Sequence, residues 1–396
     1  MRQVVRALSQ KARVKPEDWM LSHGLSRYTE PSVKGSADID WSDASARRAF
    51  LGEIVADARR LLAEASGQGE EVLKASRLLS AILLQDVQEG QTEEGGPSVS
   101  IREGTAAGRI PSVSDPEQRH GHKSKSKLFT GHKSAVAVEE ESAIITGVDV
   151  LAGDASDANG SLELVQQTEE NTGLAVAETV GDCAYGGGAN RQSFVDDGRT
   201  LHAKVPQASD PAGLFPKQAF ALDLDNHTVT CPEGHVCSTY RLGRDGGKTF
   251  LFGPVCAGCE MRSFCTTSAS GRSVHVHPQE GLLQEARAFQ ETPEGRSVLR
   301  GRVVVEHRLA RLGQLGIGQA RYVGRRKSLY QLTIAAAIAN LRRTWNWTAA
   351  KTASDSLALA SAGAGDALAV ALARVWRALA GRFWGAGRRP SACMAA

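Results

Sequence analysis

The chain lacks an uninterrupted apolar run, a large excess of one charge, and cysteines spread along its length. Its most apolar stretch, LALASAGAGDALAVALARVW, is broken by Asp366 and Arg374 and is rich in glycine and alanine, so it falls short of a membrane span. The N-terminal MRQVVRALSQKARVKPEDW is a basic amphipathic helix start without the apolar core of a signal peptide. The formal net charge is +3, so any basic binding surface must be local. Seven cysteines occur and five of them fall between 231 and 265, unlike a disulfide scaffold. These absences point to a reducing, cytoplasmic setting with no membrane partner.

What is present is ordinary globular material: 396 residues, 41% hydrophobic and 23% charged, enough for two or three domains at roughly 100–200 residues each. Residues 1–88 read as a helical region, with a Ser-Asp cap opening SDASARRAFLGEIVADARRLLAEA. Residues 89–110 are polar and Gly-rich, a linker or exposed loop. From 111 to 207 the texture changes. FTGHKSAVAVEE and SAIITGVDVLAG predict two strands around a turn at Glu140–Ser142, followed by helix, strand, short helix and strand. That order predicts an α/β layer with the strand before Asp182 near its centre. Residues 208–290 are irregular and Cys-rich, 291–345 are helical with one long helix carrying Glu306, and 346–396 form an Ala/Gly-rich tail.

Three groups of residues carry chemistry. Asp182 stands in TVGDCAYGGG, where an apolar stretch ends and glycines begin. It reads either as a metal ligand at a strand's C-terminal end, with the glycines letting backbone approach a ligand, or as a helix cap. Glu306, in RGRVVVEHRLARLGQLG, reads either as a metal ligand beside an apolar helix face or as the partner of Arg302 four residues earlier. The third group is thiol-rich. Cys231, Cys256, Cys259 and Cys265 have the spacing of a structural zinc site, with Cys237 or His235 able to replace one, or else they are buried reduced thiols. Basic clusters at 120–127 (with Lys123 and Lys125), 322–327 and 341–343 suit phosphate contacts or a solvated face.

Joined, these segments resemble the DDE-type transposases of bacterial insertion sequences. The resemblance rests on SDPEQRHGHKSKSKLFTGHKSAVAVEEESAIITGVDVLAGDASD, TVGDCAYGGGANR, CPEGH with VCAGCEMRSFC, and RGRVVVEHRLARLGQLGIGQARYVGRRKSLYQLTIAAAIANL, over roughly 1–345. It implies a ribonuclease-H-like mixed sheet with flanking helices, an N-terminal helical region and a Cys-rich, zinc-binding insertion. It also implies DNA cleavage and strand transfer with two Mg²⁺ or Mn²⁺ ions, on DNA ends paired by a homodimer at the nucleoid. Asp182 then corresponds to the second acid and Glu306 to the third, while Arg302 matches a basic position of the glutamate motif. Leu299 and Gly313 stand where many members have Tyr and Lys. The first acid belongs to a strand that precedes a segment like MRQVVRALSQ, so truncation is one expectation. Asp115, after a short β-like stretch, is the remaining candidate, with a turn Asp before Pro116 as the other reading.

Three carboxylates holding two metals about 3.5–4 Å apart would perform in-line displacement. The alternatives are a DNA-binding remnant that relies on Arg302, Arg308, Arg321, Arg325 and Arg326, a nuclease of the same fold that hydrolyses without joining, and a zinc-dependent hydrolase. Four thiols filling the zinc shell weigh against the last.

Overall fold

The computed structural model describes residues 1–91, 96–104, 106, 108–124, 126–207, 213–361 and 391–395. The chain divides into two compact units, Met1–Gly131 and His132–Ala396.

The first unit is built on four helices: α1 (Arg2–Ala12), α2 (Pro16–Ser22), α3 (Ala44–Glu64) and α4 (Glu70–Asp86). The predicted cap is Asp43, whose carboxylate accepts from the N–H groups of Ser45 at 2.8 Å and Ala46 at 3.2 Å. Val4, Val5, Leu8, Trp19, Leu25, Ala58, Leu61 and Val72 are buried together, the apolar stripes that the three- and four-residue spacing foretells. The stretch expected as a linker contains strands: β1 (Val87–Gln91) pairs antiparallel with β2 (Pro97–Ile101). Its first strand is polar and largely exposed, a composition that reads as loop. A second hairpin pairs β3 (Arg119–Ser124) with the start of β4 (Lys127–Glu139).

The second unit continues β4 into a mixed sheet. β4 pairs antiparallel with β5 (Ile145–Ala152), as the predicted turn at 140–142 requires. α5 (Ser161–Thr172) follows and ends on Gly173 in the left-handed region, the usual helix stop. β6 (Glu178–Val180), α6 (Gly188–Asp196) and β7 (Thr200–His202) come next, with β6 and β7 parallel. A Cys-rich region then forms two three-stranded sheets. One is β10-β9-β8, from β8 (Ala221–Asp223), β9 (Thr228–Thr230) and β10 (Val236–Cys237). The other is β11-β12-β13, from β11 (Tyr240–Leu242), β12 (Lys248–Leu251) and β13 (Ser273–Val276), with the short α7 (Arg262–Cys265) between its last two strands.

The helices after it are α8 (Glu280–Glu291), α9 (Pro293–Gly301), α10 (Val303–Gln314) and α11 (Arg325–Ser361). The single long helix expected around Glu306 is therefore two. Arg302 ends α9 and opens α10, and Gly301 packs so closely on the Glu140 side chain that a Cβ there would collide with it. The tail contributes β14 (Ser391–Ala395), which enters the middle of the sheet, antiparallel to β4 and parallel to β6. The strand order is β5-β4-β14-β6-β7, so the strand before Asp182 is internal.

One face of this sheet carries α10 and α11. Val136, Val138, Ile145, Val150, Val180, Val305, Leu312, Leu332 and Ala339 form its buried core. The other face carries α5 and α6 over Ala137, Leu164, Val165, Tyr185, Phe194 and Met394. Among the described residues no helix is long and apolar enough to cross a membrane.

Candidate active site

Asp182 follows β6 by one glycine. Its Oδ1 accepts from the N–H of Ala184 at 2.8 Å and so caps the turn Cys183–Tyr185. The cap reading of the sequence is realised, and it leaves the second carboxylate oxygen to other work. The neighbouring glycines have a reason that the sequence did not disclose. A Cβ on Gly181 would lie 2.9 Å from Tyr185 Cβ, and one on Gly186 would lie 2.6 Å from the Lys204 carbonyl oxygen. These glycines admit the protein's own side chains and backbone rather than a ligand.

Tyr185 is buried, and its hydroxyl has no hydrogen-bond partner among the described residues. Burial raises its pKa, and the charges of Asp182 and Asp157 add to the effect. Asp157 thus acts on the same buried hydroxyl as Asp182. Its Oδ1 accepts from Lys133 Nζ at 2.6 Å. The sequence reading singled out neither Asp157 nor Lys133, because a loop aspartate after a strand looks like any turn residue.

Glu306 lies in the first turn of α10, where a carboxylate complements the helix dipole. Its Oε1 is 2.7 Å from Arg302 Nη1, so the i,i+4 pair exists. Val305 beside it is fully buried, in the same core as Val180, two residues before Asp182. The two acids are thus anchored to one core by valines one and two residues before them. They approach it from different sides. The start of α10 stands at the β4–β5 turn, where Gly301 meets Glu140. Continuing the strand register past the Val180–Cys393 pair brings Asp182 level with Ala395, the partner of Val136, away from that turn. Among the described residues no group of three or more His, Cys, Asp or Glu side chains is arranged to hold a metal ion.

Asp115 belongs to the first unit and is buried. Its carboxylate accepts from the Glu117 N–H and from Gln118 Nε2, each at 3.3 Å, the bonds of a turn aspartate.

The basic candidates differ in their surroundings. Arg325 Nε donates to the Val150 carbonyl at 2.9 Å, which fixes the start of α11 to β5. Arg321 and Arg326 are exposed beside it, and Lys123 is exposed on β3. Lys125 lies outside the described residues. On α10, Nε and Nη2 of Arg308 are buried without a hydrogen-bond partner.

The four preferred cysteines line one small cavity together with His235, Phe252, Arg262 and Arg272. It measures about 20 Å³, room for one water-sized occupant. Cys231 opens a tight loop in which its N–H donates to the His235 carbonyl at 3.0 Å and its own carbonyl accepts from Gly234 at 2.9 Å. Cys256 Sγ accepts from the Arg272 N–H at 3.4 Å. Burial pushes the Cys265 thiol pKa up, Arg272 opposes this, and Cys256, Cys231 and Cys259 reinforce it, so the four sulfurs sense one another. Cys237 turns elsewhere, its Sγ lying 3.4 and 3.3 Å from the Thr239 and Leu251 carbonyls.

Residues 230–345 match the family model described as Transposase DDE domain. No curated protein and no solved structure matches the chain. The matched stretch contains the four cysteines, α10 with Glu306 and the first half of α11, and it begins after Asp182. In residues 230–345 the chain carries the DDE domain of the DDE-type transposases.

Proposed function

We propose that this chain is a transposase that cuts and joins the ends of an insertion sequence, in a reaction dependent on Mg²⁺ or Mn²⁺, on a ribonuclease-H-like sheet. The observation that supports it best is the anchoring of Asp182 and Glu306 to one core through Val180 and Val305, with Glu306 inside the matched stretch. Divalent cations supply Lewis-acid stabilisation of attacking and leaving oxygens in such chemistry. As placed, the carboxylates are not gathered around one point, and the Arg302 pair leaves Glu306 its second oxygen for a cation. Asp115 is the residue proposed for the role of first acid. Arg302, Arg308, Arg321, Arg325, Arg326, Lys123 and Lys125 are the proposed DNA contacts, and a homodimer is the proposed assembly for pairing two DNA ends.

The cavity of Cys231, Cys256, Cys259 and Cys265 is the proposed structural zinc site. Four cysteines lining one small cavity have the chemistry for Zn²⁺, and a backbone N–H aimed at Cys256 Sγ suits a thiolate, although the sulfurs as placed must draw closer to hold an ion. Such an ion would brace the Cys-rich insertion.

The test is nicking of a duplex bearing the element's ends, with and without Mg²⁺, by the wild type and by Asp182→Ala and Glu306→Ala. Metal-dependent nicking that persists in both variants refutes the assignment. A second reading, a remnant that binds DNA without cutting it, draws on the closed Arg302–Glu306 pair. It predicts salt-dependent binding with no nicking under any metal. A strand-transfer assay on a pre-cut 3′ end separates a transposase from a nuclease that only hydrolyses.

A further inference from the structure

Arg308, one of the proposed DNA contacts, is a half-buried charge whose surroundings that role alone does not explain. Its Nε and Nη2 are shut away from solvent and make no hydrogen bond among the described residues. Protein interiors rarely tolerate this, because a guanidinium stripped of water needs acceptors. The charges that reach Arg308 carry its own sign. Burial lowers its pKa, and Arg343 and Arg311 lower it further.

Arg311 sits one turn along α10, with Nη1 bonded to Gln314 Oε1 at 2.6 Å. Arg343 reaches over from α11, its Nε donating to the Ser142 carbonyl at 3.0 Å. Glu139 and Glu306, at this corner, are engaged elsewhere. Glu139 accepts from the N–H groups of Glu141 at 3.0 Å and Ser142 at 2.7 Å, and Glu306 pairs with Arg302. Three guanidiniums therefore meet where α10, α11 and the β4–β5 turn come together, and the inner one lacks acceptors.

We infer that Arg308, Arg311 and Arg343 form a binding site for a phosphate group. The planar guanidinium fork matches phosphate oxygens in geometry and charge. A bound phosphate would give Arg308 the acceptors it lacks and relieve the mutual repulsion of the three cations. Arg308 and Arg311 are half-buried, and Arg343 is exposed on α11. The source of the phosphate rests on the transposase reading, under which it is the DNA backbone. The site itself does not rest on that reading.

The experiment titrates the full chain with inorganic phosphate against sodium chloride at matched ionic strength, following thermal unfolding. Phosphate should raise Tm in a saturable way that chloride does not reproduce, as expected for a ligand that binds the folded state. Arg308→Gln should remove the difference. Arg343→Gln, at an exposed position that cannot disturb folding much, should weaken it if the inner variant proves unstable. Equal responses to both salts, or a phosphate response retained in both variants, overturn the site. Anisotropy on a short duplex then identifies the source. Loss of about one unit from the slope of log affinity against log salt in Arg343→Gln assigns the site to a DNA phosphate. An unchanged slope with phosphate binding intact assigns it to a free phosphate, and the transposase reading is untouched by either result.

Discussion

Arg302 Nη1 and Glu306 Oε1 stand 2.7 Å apart across the break between α9 and α10. The pair joins the residue that ends one helix to the first turn of the next, and half of the Glu306 side chain remains in water. Exposed pairs of this spacing contribute about 0.3–0.5 kcal/mol. Stability therefore gives little reason for a glutamate here. Glu306→Gln should shift the urea midpoint barely at all while abolishing metal-dependent nicking. A large loss of stability with nicking preserved would make Glu306 a structural residue.

Asp182 allows a sharper separation of roles. Its cap on the Ala184 N–H uses one oxygen, and an asparagine carbonyl makes the same bond. Asp182→Asn should keep Tm close to that of the wild type. The charge needed to hold a cation is gone, and nicking should fall by 100-fold or more, on the order of the loss that a misplaced catalytic group produces. Circular dichroism melts beside single-turnover nicking decide the matter. Activity within a few-fold of wild type would leave Asp182 as a cap alone.

Much of this was legible in the sequence, and the reasons for the rest are physical. The β4–β5 hairpin, the cap at Asp43 and the turn before Arg325 are local events, governed by alternation, capping and glycine, and they stand where the pattern put them. The break at Arg302 falls where Gly301 packs on Glu140, 161 positions away in sequence, a contact that local pattern does not disclose. The closeness of Gly186 to the Lys204 carbonyl was likewise tertiary, whereas that of Gly181 to Tyr185 depends on the turn that Asp182 caps. In the Cys-rich region, spacing put Cys231, Cys256, Cys259 and Cys265 around one cavity but left Cys237 ambiguous. Its strand, β10, turns its sulfur toward backbone carbonyls. Asp157 was missed because nothing local distinguishes it from a turn residue, and its relation to Tyr185 and Lys133 is tertiary.

The thiols give a prediction that needs no DNA. Cys183 is exposed, whereas burial raises the pKa of Cys265 and leaves less of it as thiolate near pH 8. Cys183 should be alkylated first. If the cavity holds Zn²⁺, all four of its cysteines should resist alkylation until a chelator is added, and metal analysis should find about one zinc per chain. Cys256→Ser should lower that content and Tm together. Alkylation of all four at the rate of Cys183, without a chelator, would remove zinc from the account.

Glu280 predicts the behaviour in acid. It is buried at the start of α8, with Lys217 Nζ at 2.5 Å and Arg287 Nη1 at 3.1 Å. Burial pushes its pKa up, but the hydrogen bond and charge of Lys217, the His277 N–H and Arg287 together hold it below the ordinary glutamate value. A depressed carboxylate contributes stability that is present above its unfolded pKa, about 4.3, and lost as pH falls through the folded value. The second unit should therefore weaken below about pH 4. Glu280→Gln leaves Lys217 and Arg287 without their partner, and should cost about 3 kcal/mol at pH 7 and flatten the acid limb of the stability profile. Denaturant melts from pH 3 to 7 measure both.

The last prediction concerns β14. Its residues pair on both sides: Ala392, Cys393, Met394 and Ala395 with Glu139, Val138, Ala137 and Val136, and Ser391, Ala392 and Cys393 with Glu178, Thr179 and Val180. Met394 is fully buried among Ala137, Leu164 and Tyr185. Serine and alanine are poor strand formers, so this strand is held by its position between two ladders rather than by its own preference. Deleting residues 391–396 leaves the N–H and C=O groups of β4 and β6 facing a gap in the middle of the sheet, the costly case for backbone polar groups. Hydrogen exchange should show protection lost at Val136, Val138 and Val180, which line the gap, and retained where β4 meets β5 at Gly147 and Asp149. Because Val180 leads to Asp182 and shares a core with Val305, the deletion should also abolish nicking without touching any acid. If β6 amides stay protected in the deleted chain, the sheet closes without β14, and the strand has no part in holding Asp182 in place.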